Sequence, residues 1–224
     1  MISLLSRAIA MSILLALWSG GAAANDTRLA AAPGSSIQLK GSSNVAKWQC
    51  RGTAIAVTMA VAAPIEKIND VINRIENGDI APWMSNPAAG RLPQPDLHVA
   101  IPISALRCTG GAPMERDLAR TLKADLFPDM VFRFEGLGSG VTHDIDRGHF
   151  RATVTGGLSL AGVSHDLSFT AVVRRISPTR FHLTATLPAR MTDFGLSPPT
   201  ALFGMIKASN DLSVEFDLIM EVDQ

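Results

Sequence analysis

The sequence is poor in charge, and the little charge that it carries is balanced. Only 18% of its 224 residues are charged, with 20 Lys and Arg against 20 Asp and Glu. Because the chain has no excess of one sign, it has no overall field to attract nucleic acid or an anionic membrane, so neither is expected as a partner. Apolar residues make up 47%. That content fits a chain that surrounds both a core and a cavity, although a fully packed β-sandwich has a similar composition.

The usual signatures of catalysis and of cofactor binding are also missing. The sequence contains no Gly-rich phosphate loop, no CxxC pair and no HExxH motif. Ser164, His165 and Asp166 are the residue types of a nucleophilic triad, but three consecutive side chains point in different directions and cannot form the proton relay. We interpret them as a hairpin turn. The sequence therefore predicts no enzyme, no catalytic residue and no cofactor.

One group of metal-ligand types flanks the glycine turn at Arg147-Gly148. It consists of His143, Asp144, Asp146 and His149, whose nitrogen and oxygen atoms are ligands that zinc accepts. Polar residues around a glycine turn are more often simply solvated, so we predict no metal site. A metal-assisted hydrolase that uses this cluster is the alternative from the enzyme class.

The first 24 residues predict an export signal. Arg7 precedes an apolar run from Ala8 to Trp18, and Ala22-Ala23-Ala24 fits the small-x-small cleavage rule, so the mature chain is expected to begin at Asn25. This run of 11 residues is shorter than the roughly 20 that span a bilayer. No stable membrane insertion of the mature chain is therefore expected.

The sequence has only two cysteines, Cys50 and Cys108. Export would place both in a compartment where disulfides persist, so we expect them to be paired. Such a bridge restricts the unfolded chain by about 4 kcal/mol in the loop-entropy model. Two free thiols are the alternative.

Alternation of apolar and polar residues predicts about eight β-strands. The stretch from Gly148 to Val173 reads as two amphipathic strands joined by a glycine-marked corner. Similar alternation recurs from Leu97 to Ile103, from Phe181 to Leu187 and from Leu212 to Leu218. Eight strands close into a barrel able to hold one small apolar ligand. The predicted fold is an all-β antiparallel, lipocalin-like barrel with one or two short helices.

Two segments predict those helices, and either is a candidate lid. Ile65, Ile68 and Ile72 recur at helical spacing within the helix-loop segment 64–95, and residues 113–124 predict a second helix. Residues 25–224 are expected to form one domain, with 64–95 as an insertion. In the insertion, Trp83 and Met84 are predicted to be exposed.

The candidate cavity residues are apolar residues expected to face into the barrel. Several are small, as in Ala152 and Ala171, and would leave space for a long hydrocarbon tail, although each phenylalanine is also compatible with an ordinary core. The candidates are Phe132, Phe134, Phe150, Ala152, Val154, Phe169, Ala171, Leu183, Phe194, Leu196, Phe203, Val214 and Phe216.

Three short motifs, in this order, resemble a known family. Gly148-His149-Phe150 opens a strand, Leu158 to Val163 has the form Leu-x-Leu-x-Gly-Val, and Asp193-Phe194-Gly195-Leu196 follows near the end. With the passage from Met114 to Phe134, they resemble the YceI-like proteins of bacterial periplasms over roughly residues 97 to 222. The resemblance implies a lipocalin-like barrel that binds polyisoprenoid lipids, and a periplasmic location.

The expected function is therefore an exported protein that sequesters or carries an isoprenoid lipid, a quinone or a similar apolar ligand, with a homodimer left open. The alternative from another class is a fully packed barrel that serves as a structural or protein-interaction module through its 64–95 insertion.

Overall fold

The computed structural model describes residues 26–77, 94–144 and 149–223. Within them the chain is mostly β-strand, with two α-helices. The helices are α1 (Ile65–Glu76) and α2 (Gly111–Thr121). The strands are β1 (Thr27–Ala31), β2 (Ser36–Ser43), β3 (Lys47–Gly52), β4 (Ala56–Val61), β5 (Asp96–Pro102), β6 (Arg107–Cys108), β7 (Asp129–Asp144), β8 (His149–Leu160), β9 (Val163–Ser177), β10 (Arg180–Arg190), β11 (Thr200–Ala201) and β12 (Ile206–Val222).

The long strands form a closed antiparallel barrel. β1 and β2 both pair with one edge of β12, as Leu29 opposite Val222 and Leu39 opposite Val214 show. β1 and β2 therefore act as one interrupted barrel strand. In the same way, β3 and β4 together form a second barrel strand, and β5 and β6 form a third. With β7, β8, β9, β10 and β12, they make eight strands in sequence order, closed where β12 meets β1. The predicted eight-stranded barrel is confirmed.

The barrel has two different ends. β2, β5, β8 and β10 all finish at the same end of the barrel, which we call the closed end. The opposite end, where β4 leads into α1, we call the mouth. At the closed end the inward-facing Leu39, Ile101, Leu158 and Leu187 are at most 1% exposed. Burial this complete indicates close-packed side chains, so this half of the barrel is an ordinary hydrophobic core.

Phe194 plugs the closed end. It lies in a 3-10 turn (Met191–Phe194) and is fully buried. The chain then reverses at Gly195, whose φ of 63° lies in the left-handed region that suits glycine. The backbone N–H of Leu196 donates to the carbonyl oxygen of Met191 at 3.0 Å, which returns the chain toward the barrel. The Asp-Phe-Gly-Leu motif is thus a structural corner.

Helix α2 also lies at the closed end. It follows β6. Leu118 in the helix and Leu122 just after it are both buried and cover the barrel core on this side. The candidate lid at residues 113–124 is therefore in the wrong place to cover the mouth, because β5 and β6 carry the chain toward the closed end before the helix begins. No helix of the described segments is long and apolar enough to cross a membrane.

Ser164, His165 and Asp166 do not form the hairpin turn that the sequence suggested. They belong to β9, and the turn lies one step earlier at Ala161 and Gly162, whose φ values are 52° and 82°. Two consecutive left-handed residues make the tight connection between β8 and β9.

The expected disulfide is present. Cys50 on β3 stands directly opposite Cys108 on β6, and their sulfur atoms are bonded at 2.03 Å. Cys50 is fully buried. β6 has only two residues, so the bond fastens a very short strand to the barrel wall.

Gly156 allows an aromatic ring to cross the inside of the wall. An added Cβ there would lie 2.3 Å from the carbonyl oxygen of Arg133 and 2.5 Å from Cζ of Phe132. We expect Gly156→Ala to lower the free energy of unfolding by about 1–3 kcal/mol, because the backbone oxygen cannot move aside. Urea denaturation measures this change.

Gly157→Ala is the matched control. Its added Cβ would meet nothing closer than Oε1 of Glu135, at 3.4 Å. We expect this variant to be as stable as the parent chain or slightly more so, since alanine restricts the unfolded chain. Equal losses at the two positions would contradict the close contact between Gly156 and Phe132.

Candidate functional site

Three alanines lie side by side on the inner wall of the barrel. Ala152 on β8 pairs with Ala171 on β9, which pairs with Ala185 on β10. The next residue in the row is Phe216 on β12. Because directly opposite side chains lie on the same face of a sheet, this row is a patch of methyl groups on the inner wall. Ala152 is partly exposed, and Ala171 and Ala185 are 4% and 8% exposed.

Phenylalanine rings form a floor beside this patch. The ring of Phe132 packs edge-on against Phe169, with centroids 5.5 Å apart, and lies 6.3 Å from the ring of Phe216. Between this floor and the closed end the barrel is filled by buried aliphatic side chains.

Apolar residues between the floor and the mouth keep some contact with solvent although they face inward. Phe134 and Leu183 are only partly buried, whereas Phe132 and Leu187 on the same strands are 3% and 0% exposed. In the half of the barrel nearer the mouth, some inward-facing side chains are therefore not fully covered by their neighbours, whereas others, such as Phe181 and Met220, are 7% and 2% exposed. Its partly exposed wall consists of Met59, Leu97, Phe134, Ala152, Phe169, Val173 and Leu183.

Helix α1 lies across the mouth. Its apolar residues recur at helical spacing, so they share one face, and Ile68 and Val71 are both 7% exposed. Val71 packs with Phe150 at the start of β8, and Ile72 and Val173 complete this contact. The part of segment 64–95 that the structure describes thus lies as a cover over the mouth of the barrel.

Polar contacts fasten α1 to the rim. Arg175, at the inward-facing position after Val173, donates from Nη1 to Oδ1 of Asn73 at 2.8 Å, and its Nη2 pairs with Glu76. Nδ2 of Asn69 donates to the carbonyl oxygen of Pro178 at 2.9 Å. We call the contacts of Arg175 with Asn73 and Glu76 the rim clasp.

The structure places most of the candidate cavity residues in the barrel interior but spreads them along its length. Phe134, Phe150, Ala152, Ala171 and Leu183 lie on the side of the mouth. The floor and the wall beside it contain Phe132, Val154, Phe169, Val214 and Phe216, and the closed end contains Phe194 and Leu196.

Phe203 does not line the interior. Its side chain is fully exposed, at the tip of a turn outside the barrel. The reason is local: Leu202 and Phe203 have φ values of 49° and 55°, so the chain turns sharply here and does not continue as a strand with an inner face.

The candidate metal ligands fall mostly outside the described residues. The side chains of His143, Asp144 and Asp146 are not described, and His149 pairs through its backbone with Asp144 where β7 and β8 meet. Among the side chains that the structure does describe, no group of three or more His, Cys, Asp or Glu that could hold a metal ion is found. Trp83 and Met84 also lie outside the described residues.

The rim clasp is not among the sequence predictions. The predicted pair of strands ends at Val173, and one further step of two residues along β9 reaches Arg175. A positive charge on an inward-facing position at a strand end was the available signal for the rim clasp.

A second depression lies on the outside of the barrel. It has a volume of about 610 Å³ and crosses the outer face of β8, β9, β10, β12 and β2. Outward-facing polar residues line most of it, including Gln38, Thr170, Thr184, Thr186, Glu215 and Asp217. A polar open surface of this kind does not suit a hydrocarbon chain.

The chain also matches a known family. A model of the YceI-like domain matches residues 48–220, which is most of the chain. The chain belongs to the YceI-like family. No functionally curated protein matches it.

Solved structures with this fold are distant in sequence. A polyisoprenoid binding domain from Saccharophagus degradans, implicated in plant cell wall breakdown, is 14% identical with a TM-score of 0.56, and the match covers 88% of this chain and 98% of that one. BcnA of Burkholderia cenocepacia is 12% identical with a TM-score of 0.51, covering 83% and 94% of the two chains. At these identities the likeness shows the shared fold alone.

Proposed function

We propose that this YceI-like protein is an exported carrier that holds an isoprenoid or similar long-chain apolar lipid between the phenylalanine floor and α1. The observation that carries the proposal is the group of inward-facing apolar residues near the mouth that stay partly exposed, Phe134, Ala152 and Leu183 among them, beside the small side chains of Ala171 and Ala185. The name of the Saccharophagus relative, a polyisoprenoid binding domain, supports the same class of ligand. An isoprenoid quinone belongs to that class.

Binding then requires no catalytic group. A hydrocarbon tail gains about 0.8 kcal/mol for each CH₂ that leaves water for an apolar surface, and the wall from Phe134 to Leu183 offers such a surface. The tail would lie on the alanine row while its polar end faced the rim, where Arg175, Asn73 and Glu76 supply hydrogen-bonding groups. The predicted signal at residues 1–24 supports export, and we propose the periplasm as the location.

The test is to purify the protein from the periplasmic fraction without detergent or chelator and to analyse it by native mass spectrometry and lipid extraction. We expect a mass increment of one apolar lipid per chain. A protein that is empty, and that also takes up neither isoprenoid quinone nor polyprenyl probes, would contradict the proposal. The alternative of a packed interaction module would then be favoured.

The rim clasp should slow the exit of the ligand. Arg175→Ala removes both contacts with α1, and a partly exposed ion pair is worth up to about 1 kcal/mol. We therefore expect a bound polyprenyl probe to leave for acceptor vesicles up to about fivefold faster, with little change in thermal stability. Transfer is followed by fluorescence.

Arg174→Ala is the matched control for this measurement. Arg174 is the neighbouring, exposed and outward-facing residue of β9, so its loss changes the charge of the rim equally but leaves the clasp in place. Equal exit rates in the two variants would mean that α1 does not gate the mouth.

A further inference from the structure

A protruding apolar tip lies at the closed end of the barrel, far from α1. The turn between β11 and β12 exposes Leu202 by 60%, Phe203 completely and Met205 by 67%. Val45, in the turn between β2 and β3, is 66% exposed. We call these four residues the apolar tip. Single exposed apolar residues are common, but four on adjoining turns form a patch that marks an interaction site.

The two turns are tied into one surface by Asn44. Its Nδ2 donates to the carbonyl oxygen of Met205 at 2.8 Å, and its Oδ1 accepts from the backbone N–H of Lys207 at 2.9 Å. The backbone N–H of Asn44 also donates to the carbonyl oxygen of Lys207 at 3.1 Å. Val45 is therefore held beside the turn that carries Leu202 and Phe203.

The backbone of the tip is arranged to keep these side chains outside. Leu202, Phe203 and Gly204 are all left-handed, with φ of 49°, 55° and 85°. Residues other than glycine are strained in this region. Strain that displays a phenylalanine to solvent instead of burying it is typical of functional positions.

The two segments that carry the tip contain only basic charged residues. Segments 41–49 and 195–210 contain no Asp or Glu, and their charged residues are Lys47 and Lys207, both exposed. Two exposed carboxylates, Asp193 and Asp211, lie just beyond the second segment, and Asp211 is 4.0 Å from Arg190 in an ion pair. The chain as a whole is neutral, so no long-range attraction is expected, but the tip itself combines apolar side chains with two ammonium groups.

We propose that the apolar tip docks this protein on the surface of an anionic phospholipid bilayer. Phe203 projects from a convex turn, so a partner must surround it, and the interfacial layer of a bilayer does this without a preformed pocket. Lys47 and Lys207 would meet anionic headgroups. The mouth lies at the opposite end, so docking leaves α1 facing away from the bilayer. Docking is therefore independent of the proposed lipid cargo.

The experiment measures flotation of the mature protein with vesicles of phosphatidylcholine alone or mixed with phosphatidylglycerol at about 3:1. We expect binding to the mixed vesicles, at least a tenfold smaller partition coefficient for the double variant Leu202→Ser and Phe203→Ser, and loss of the phosphatidylglycerol dependence in Lys47→Gln with Lys207→Gln. Circular dichroism verifies folding, which these exposed substitutions should leave intact.

Ile176→Ser is the control. Ile176 is also an exposed apolar residue, at 46%, but it lies near the end of β9 on the side of the mouth. This variant should bind vesicles like the parent chain. The proposal is overturned if the parent chain does not bind the mixed vesicles, or if the tip variant binds as well as Ile176→Ser. It is also overturned if the tip substitutions alter only the oligomeric state in gel filtration, since the tip would then contact a second copy.

Discussion

Ala152→Leu should weaken the binding of a polyprenyl lipid by roughly 50-fold without destabilising the barrel. The substitution adds three carbon atoms to the inner wall, where Ala152 is only partly buried and lies opposite Ala171. Displacing about three CH₂ groups of the ligand costs about 2.4 kcal/mol at 0.8 kcal/mol each. Titration with a fluorescent polyprenyl probe measures the affinity.

The stability of the same variant separates a hollow barrel from a packed one. In a half-filled interior, leucine occupies free space, and we expect the free energy of unfolding of the lipid-free protein to stay the same or to rise. In a packed interior the same leucine would cost about 1–3 kcal/mol. Thr153→Leu, on the next and outward-facing position of β8, is the matched control and should bind lipid normally. A normal affinity for Ala152→Leu would contradict the proposed position of the ligand.

Removing the disulfide should cost about 4 kcal/mol of stability. Cys50 and Cys108 are separated by 58 positions, and in the loop-entropy model the bond lowers the entropy of the unfolded state and raises its free energy by that amount. The free energy of unfolding of a small protein is about 5–15 kcal/mol in total, so this loss would be a large part of it. We expect Cys50→Ala with Cys108→Ala to show it in urea denaturation.

Reduction of the parent protein is the control for that result. A reductant should lower its midpoint toward that of the double variant and leave the double variant unchanged. A difference below about 1 kcal/mol between oxidised parent and variant would mean that the pairing of β3 with β6 is held by packing alone.

The strands and the cover could be predicted from the sequence because their patterns are local. Alternation along β8 and β9 predicts which residues face the inside of the barrel, and the spacing of the isoleucines in α1 predicts a helix. The observed α1, Ile65–Glu76, begins after Pro64 and ends just before Asn77-Gly78, the two signals that define a helix start and stop.

Other features depend on contacts that a local pattern does not contain. β1 has only five residues, too few for a clear alternation, and its pairing with β4 and β12 identifies it as part of a barrel strand. Phe203 resembled the other core phenylalanines, since nothing in the residue itself shows that its backbone is left-handed. The rim clasp joins β9 to α1 across about 100 positions of the chain, a distance that no periodicity spans.

The most direct test of the proposed lipid site is a crystal structure of the protein as it is purified from the periplasm without detergent. We expect elongated electron density between α1 and the ring of Phe169, in contact with Ala152, Ala171 and Ala185. An interior closed by side chains, or lipid density bound only in the polar depression on the outer face, would contradict it.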